Sequence, residues 1–198
     1  MIRGHFAWCY PLPLVLLNKP YRVLSQFRAN DGRSTLIEFV SHKDVYPAGR
    51  LDFDSEGLIL LTDDGRLQAR ISQPQSKITK IYWAQVEGTP SESQLGSLRE
   101  GIELRDGRAC AKIANQIDEP TGLWERIPPI RQRLNVPDSW IEIGITEGRN
   151  RQIRRMTAAV GLPTLRLIRK SVGPWSLDGL QPGESRLIDN NEARSHLA

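Results

Sequence analysis

Reactive side chains concentrate between Gly49 and Asp64. Arg50, Asp52, Asp54 and Glu56 follow one another at every second position and are bracketed by Gly49 and Gly57. In an extended segment Arg50 and Asp52 leave the same face. A guanidinium beside a carboxyl favours its ionised form and lowers its pKa by roughly 1–3 units. Asp52 is therefore a candidate nucleophile or base rather than a proton donor. A structural ion pair beside a turn produces the same pattern, and the residue types alone leave both readings open. Asp54 and Glu56 share the loop but no partner motif follows them, which argues against a hydrolase working with two carboxylates.

A reactive loop needs rigid elements on either side. Leu58 to Leu61 is an unbroken apolar run that fits a strand buried on both faces. Asp63-Asp64-Gly65 reads as a turn and helix cap, followed by a helix over 66–72 with Leu67 and Ile71 on one face. Upstream, 14–21 reads as a strand ended by Pro20, Asn30-Asp31-Gly32 as a loop, and 35–40 as a short helix. Residues 79–87 form a strand with Tyr82, Ala84 and Val86 on one face. Ser91 and Gln94 make a capping box after Pro90, with Leu95 and Leu98 inward and Gly101 closing the helix. Strand segments flank the Asp106-Gly107 turn, and 139–145 alternates as a strand. A helix follows with Asn150 as its cap, and Gly161 and Pro163 end it. Its apolar stripe is Ile153, Met156 and Val160, with Arg151, Arg154 and Arg155 off the stripe. Residues 119–138, rich in Pro and holding Arg126, Arg131 and Arg133, read as a surface loop that is either an RNA-contacting insertion or a spacer.

The chain of 198 residues is 39% hydrophobic and 25% charged, an ordinary globular composition with no apolar run long enough for a membrane-spanning helix. Cys9 and Cys110 have no metal-type spacing and suggest neither a zinc site nor a disulfide scaffold. This makes a cytoplasmic location the default. Net charge is only +4, but 21 of the 27 basic residues are Arg. Arginine gives planar, bidentate contacts to phosphate and stacks on bases. From Thr146 to Lys170 seven cations face the single acid Glu147, a pattern that suits an anionic polymer or a solvated surface.

Gly49-Arg50-Leu51-Asp52, Ser55-Glu56-Gly57-Leu58 and Leu60-Leu61-Thr62-Asp63-Asp64-Gly65 together resemble the signature of the pseudouridine synthases. The likeness is to the branch holding the RsuA, RluB, RluE and RluF ribosomal RNA enzymes. Asn18-Lys19-Pro20, Lys80-Ile81-Tyr82 and Glu147-Gly148-Arg149-Asn150-Arg151-Gln152-Ile153-Arg154 resemble further motifs of that family in the same order. Many members carry Gly where this chain has Arg22.

The resemblance implies an α+β fold, a central mostly antiparallel sheet with flanking helices and two lobes around a catalytic cleft. It implies isomerisation of uridine to pseudouridine in large-subunit ribosomal RNA, with no cofactor and no metal. Asp52 is the implied catalytic residue, Arg154 its basic partner, Tyr82 the contact to the base and Arg50 a support. Arg149, Asn150, Arg151, Gln152, Arg155, Arg166 and Arg169 are the expected RNA contacts. The expected organisation is a lead-in over 1–13, one catalytic domain over 14–189 and a polar tail over 190–198, without a preceding S4-type RNA-binding domain, acting as a monomer. A non-catalytic RNA-binding or ribosome-assembly protein on the same scaffold is the alternative.

Overall fold

The computed structural model describes residues 14–29, 31–42, 44–130 and 136–196. The expected lead-in over 1–13, Asn30, Arg131 and Arg133 lie outside the described residues.

The first strand, β1 (Leu14–Lys19), is buried along its whole length. A two-residue strand β2 (Tyr46–Pro47) and the loop through Asp52 lead to β3 (Glu56–Thr62), in which every residue is buried. Helix α1 (Gly65–Ser72) and β4 (Lys80–Glu87) follow. Helix α2 (Glu92–Glu100) comes before the small β5–β6 hairpin (Ile102–Leu104 and Gly107–Ala109) and β7 (Ile113–Ile117). The remainder is β8 (Asp138–Ile145), α3 (Gln152–Ala159), β9 (Thr164–Val172), β10 (Trp175–Ser176), β11 (Ser185–Ile188) and α4 (Asn190–Ser195).

The main sheet runs β11-β1-β3-β9-β4-β8-β7, with β2 against β3 and β10 against β9. Every pairing is antiparallel except β3 with β9, as expected of a mixed sheet. That parallel seam joins the two halves through only two register pairs, Glu56 with Ile168 and Gly57 with Arg169. Alternation along β3 fills two cores. Ile59 and Leu61 join a cluster with Leu95, Leu98, Ile153 and Met156 under α2 and α3. Leu58 and Leu60 join Leu67 and Ile71 of α1, Trp175 and Ala193 on the opposite face.

Local chemistry set several elements as the sequence predicts. Asp64 caps α1 by accepting from the backbone N–H groups of Arg66 and Leu67. Ser91 and Gln94 form the capping box of α2, with Pro90 just outside it, and Gly101 ends the helix at φ 116°. Arg22, at a position where the resembled motif often has Gly, adopts a left-handed φ of 59°.

Four expectations change. The helix at 35–40 is only a 3-10 turn over Leu36–Glu38. The expected polar tail contains α4, with Ala193 fully buried and Arg194 paired to the capping Asp64 at 2.6 Å. Residues 119–130 do not simply run over the surface, because Trp124 packs on the second core and its Nε1 donates to Glu56 Oε2 at 2.8 Å. Finally, Asn150 is not the cap of α3. Gln152 Oε1 takes the Arg149 N–H at 3.0 Å, and Arg151 occupies the cap position with a left-handed φ of 47°.

The seam fixes a glycine. A Cβ on Gly57, whose φ is 104°, would lie 2.5 Å from the Arg169 carbonyl oxygen, a backbone atom that cannot turn aside. Gly57→Ala combines a forbidden φ with overpacking, so it should lower stability by about 3 kcal/mol, read as a urea midpoint shift. A variant within 0.5 kcal/mol of the parent would show that the seam tolerates separation.

Candidate active site

The loop that carries Asp52 is tied down on several sides. Ser25 Oγ donates to the Leu51 carbonyl at 2.7 Å and accepts the Leu51 N–H at 3.0 Å. The Phe53 carbonyl accepts from the Arg22 N–H at 2.9 Å, and the Ser55 N–H closes back on the Asp52 carbonyl at 3.1 Å. The end of the loop enters β3 through Glu56. That carboxylate is buried and accepts a bidentate pair from Arg166 at 2.8 and 2.9 Å, besides the Trp124 N–H. Arg166 also donates to the Trp124 carbonyl at 3.0 Å and lies over its ring. A buried fork of this kind holds geometry because all its partners lock together.

Asp52 opens on a cavity of about 760 Å³, counting the open space at its mouth. Gly49 to Asp52 and Ser55 form one wall, Lys80, Tyr82 and Arg169 another, and Gly148, Arg149 and Arg151 a third. The Asp52 side chain is 29% exposed and so remains reachable from the cavity. Tyr82 is mostly buried and lines the same space. Sheet register brings these residues together: Lys19, Gly57, Arg169, Tyr82 and Ile143 occupy one row across five adjacent strands.

The cation beside Asp52 is not the one expected. Arg151 Nη1 lies 3.8 Å from Asp52 Oδ2, while its fork is bidentate on Asp54 at 2.8 and 2.9 Å. Arg154 donates to the backbone carbonyls of Asp54 (2.7 Å) and Thr164 (3.2 Å), and its Nε is 3.5 Å from the Asp54 carboxylate. The left-handed backbone of Arg151 carries that side chain toward the loop, and Arg154, a turn later, makes its loop hydrogen bond at Asp54 while its charge still acts on Asp52. Burial opposes ionisation of Asp54, but the Arg151 hydrogen bonds and the charges of Arg154 and Arg151 outweigh it and hold its pKa below the usual carboxylate range. Arg50 is exposed at the rim and does not pair with Asp52; its carbonyl is the weak 3.5 Å acceptor of Arg169.

Most of the expected RNA contacts are committed inside the protein. Arg149 donates to the carbonyls of Asp106, Gly107 and Arg108 at 3.2, 2.9 and 2.7 Å and pairs with Glu147. Gln152 is buried and donates to Glu147 at 2.6 Å. Arg155 is bidentate on Asp106 at 2.7 and 2.9 Å. Arg166 belongs to the Glu56 cluster and Arg169 is 5% exposed in the cavity wall. Asn150 and Arg151 are the members that remain exposed. The arginine block reads as surface charge because spacing does not reveal acceptors 40 to 110 residues away.

Sequence reasoning gave no role to two buried lysines. Lys19 is completely buried, with Nζ donating to the carbonyls of Pro20 and Val23 at 2.8 Å each. Burial pushes its pKa down to about 7, helped by Arg169 and opposed by Glu56, Asp54 and Asp52. Lys80 lines the cavity and has one long bond, to the Thr146 carbonyl at 3.3 Å. Burial and then Arg169 push its pKa down as well. Two cavity-lining residues, Arg169 and Ser55, each have a buried polar atom, Nη2 and Oγ, with no hydrogen-bond partner among the described residues.

A carboxylate open to a cavity, with a tyrosine and several cations around it on a mixed sheet, is the arrangement the sequence motifs imply. Residues 13–159 match the family described as RNA pseudouridylate synthase, and the chain belongs to that family. It is 56% identical over 175 residues to a Ribosomal large subunit pseudouridine synthase E of Vibrio parahaemolyticus, covering 88% of this chain and 73% of the relative. It is 55% identical over 183 residues to a protein of the same name from Xanthomonas campestris, covering 91% of this chain and 98% of the relative. Among solved structures, a pseudouridylate synthase crystal structure superposes with a TM-score of 0.74 at 30% identity, covering 96% of this chain and 76% of that one. Family membership does not favour the non-catalytic alternative.

Two outcomes follow from these buried charges. Unfolded Lys19 keeps its proton up to about pH 10.5, but folded Lys19 only to about 7. Between those values the unfolded chain binds more protons, so the Lys19 penalty is full below pH 7 and shrinks as pH rises. The stability of Lys19→Met relative to the parent should therefore fall from pH 7 to pH 10 in parallel denaturation curves. A constant difference would contradict the shift. Glu56→Gln, which leaves the buried Arg166 without its charge partner, should cost about 3 kcal/mol. For a chain of this size that is roughly 6–12 °C in Tm by calorimetry.

Proposed function

We propose that this chain isomerises a uridine of large-subunit ribosomal RNA to pseudouridine. The observation that carries the reading is Asp52, a carboxylate without a short hydrogen bond among the described residues and open to a cavity it shares with Tyr82. The relatives named above supply the RNA class. In the reaction the C1′–N1 bond breaks, uracil turns over, and C5 bonds to C1′. The change is redox-neutral and hydrolyses nothing, so the chemistry calls for neither cofactor nor metal.

Asp52 works at the ribose, either by adding to C1′ or by removing the 2′ proton. Arg151 supplies the positive charge beside it, while Arg154 sets the loop through Asp54. Tyr82 packs against the base, a contact worth roughly 1–3 kcal/mol. A paired uridine must first leave its stack, which costs a few kcal/mol. Arg50, Asn150 and Arg151 at the rim meet the phosphates flanking that nucleotide, and binding weakens with salt accordingly. In this reading the enzyme acts as a monomer, and the ribosomal RNA substrate goes with a cytoplasmic location. Among the described residues no helix is long and apolar enough to cross a membrane.

The test uses ribosomal RNA tritiated at uracil C5. The parent should release tritium to water. Asp52→Asn should reduce release at least 1,000-fold with RNA affinity within threefold of the parent, and substantial residual turnover would refute the role of Asp52.

A further inference from the structure

We propose that Arg169, with Lys80 behind it, is a catalytic residue that stabilises the detached uracil anion. This inference rests on the pseudouridine synthase reading and adds a second catalytic subsite in the cavity that Asp52 lines.

The isomerisation needs two charges managed. When the C1′–N1 bond breaks, its electron pair leaves with uracil. The negative charge spreads from N1 over the O2 and O4 oxygens. The sugar is satisfied by an Asp52 oxygen at C1′, or by loss of the 2′ proton to Asp52. The ring then turns, and C5 forms the new bond to C1′ with an electron pair held by the anion, as the C1′–O bond to Asp52 breaks or the 2′ proton returns from Asp52. The C5 proton departs and N1 takes one up, so the product is an isomer of the starting nucleoside. Between the two bonds a free anion occupies the cavity beside Asp52, which by then is an ester at C1′ or has taken up the 2′ proton and is neutral. Without an opposing cation that state is poorly stabilised.

The cavity that Asp52 lines also holds suitable cations. Arg169 sits directly opposite Tyr82 in the β4–β9 register, next to the residue expected to meet the base. It is 5% exposed, and its fork is only partly used. Nε donates to the Leu58 carbonyl at 2.6 Å and Nη1 has a marginal contact at 3.5 Å. Nη2 finds no acceptor among the described residues. Arg149 and Arg166 direct their forks to several protein acceptors; Arg154 and Arg155 also leave a buried Nε unpartnered, but neither lines the cavity as Arg169 does. Lys80 lines the same cavity with a single 3.3 Å bond. The Ser55 hydroxyl, buried and also without a partner, adds a group able to donate to or accept from the polar edge of uracil. Donors fixed in place before charge develops, in a site screened from water, are the arrangement that stabilises a transition-state anion.

The test separates help to a leaving group from help to folding. Wild type, Arg169→Met, Arg169→Lys and Lys80→Met are each given RNA containing uridine or 5-fluorouridine at the target position. Consumption of the nucleoside is followed by nuclease digestion and chromatography. Fluorine at C5 makes uracil a more stable anion that depends less on protein donors. Arg169→Met should slow uridine consumption roughly 100- to 1,000-fold, with a smaller effect on KM, and should slow 5-fluorouridine consumption at least tenfold less. Lys80→Met should show the same selectivity more weakly, which keeps the idea testable if Arg169→Met fails to fold. Arg169→Lys should recover part of the uridine rate. An equal fall with both nucleosides, or no fall, overturns the assignment and leaves a structural role. A wild-type protein that consumes neither nucleoside overturns the synthase reading itself, and this assignment with it.

Discussion

The parallel contact between β3 and β9 is the constraint on which the site depends. Two register pairs join the halves of the sheet there, and Gly57 allows the backbones to approach so closely that no Cβ fits between them. The Asp52 loop ends one residue before that seam, and Arg169 lies in it. A wider separation would move the loop away from the wall that carries Tyr82. The Glu56–Arg166–Trp124 cluster reinforces the seam from one side, with a buried carboxylate whose acceptors are taken up by a guanidinium and an indole. Burying an ion pair is expensive unless the remaining donors and acceptors are met. Here they are, and the result is rigidity immediately beside the loop.

The fate of the arginines shows how a fold spends charge. Arg149, Arg155 and Arg166 are anchored on backbone carbonyls or carboxylates remote in the chain. Each ties one element to another: α3 to the β5–β6 hairpin, or β9 to the start of β3. Arg151 differs, being exposed, held by Asp54 and within 4 Å of Asp52. Asp54 thus takes the tight contacts, and Asp52 keeps its charge near a cation without being tied up by it. In the proposed reading that division suits the chemistry, since a carboxylate locked in a bidentate pair is a poor nucleophile and a poor base.

Much of the architecture was legible from local patterns. The buried strand at 58–61, the Asp64 cap, the Ser91–Gln94 box and the alternation around Tyr82 depend on contacts within a few residues, so spacing reports them directly. Where a local rule competed with a distant partner, it failed. Asn150 is a good cap by type, but Gln152 satisfies the turn and Arg151 is drawn to Asp54. The segment around Trp124 looks like a loop by composition, and only its landing on Glu56 makes it part of the structure. The last residues read as a tail because a single buried alanine, Ala193, leaves no periodicity to detect.

The sequence alone determined the family, the order of the elements and the identity of the loop that carries Asp52, because motif and periodicity are properties of neighbouring residues. Only the tertiary structure decided which arginine stands beside Asp52, which cations are consumed inside, and that Lys19 and Lys80 are buried near the same cavity. Those facts depend on strand register and on acceptors as many as 110 residues apart. The energy of a buried charge is set by what surrounds it in space, and spacing along the chain carries no record of that.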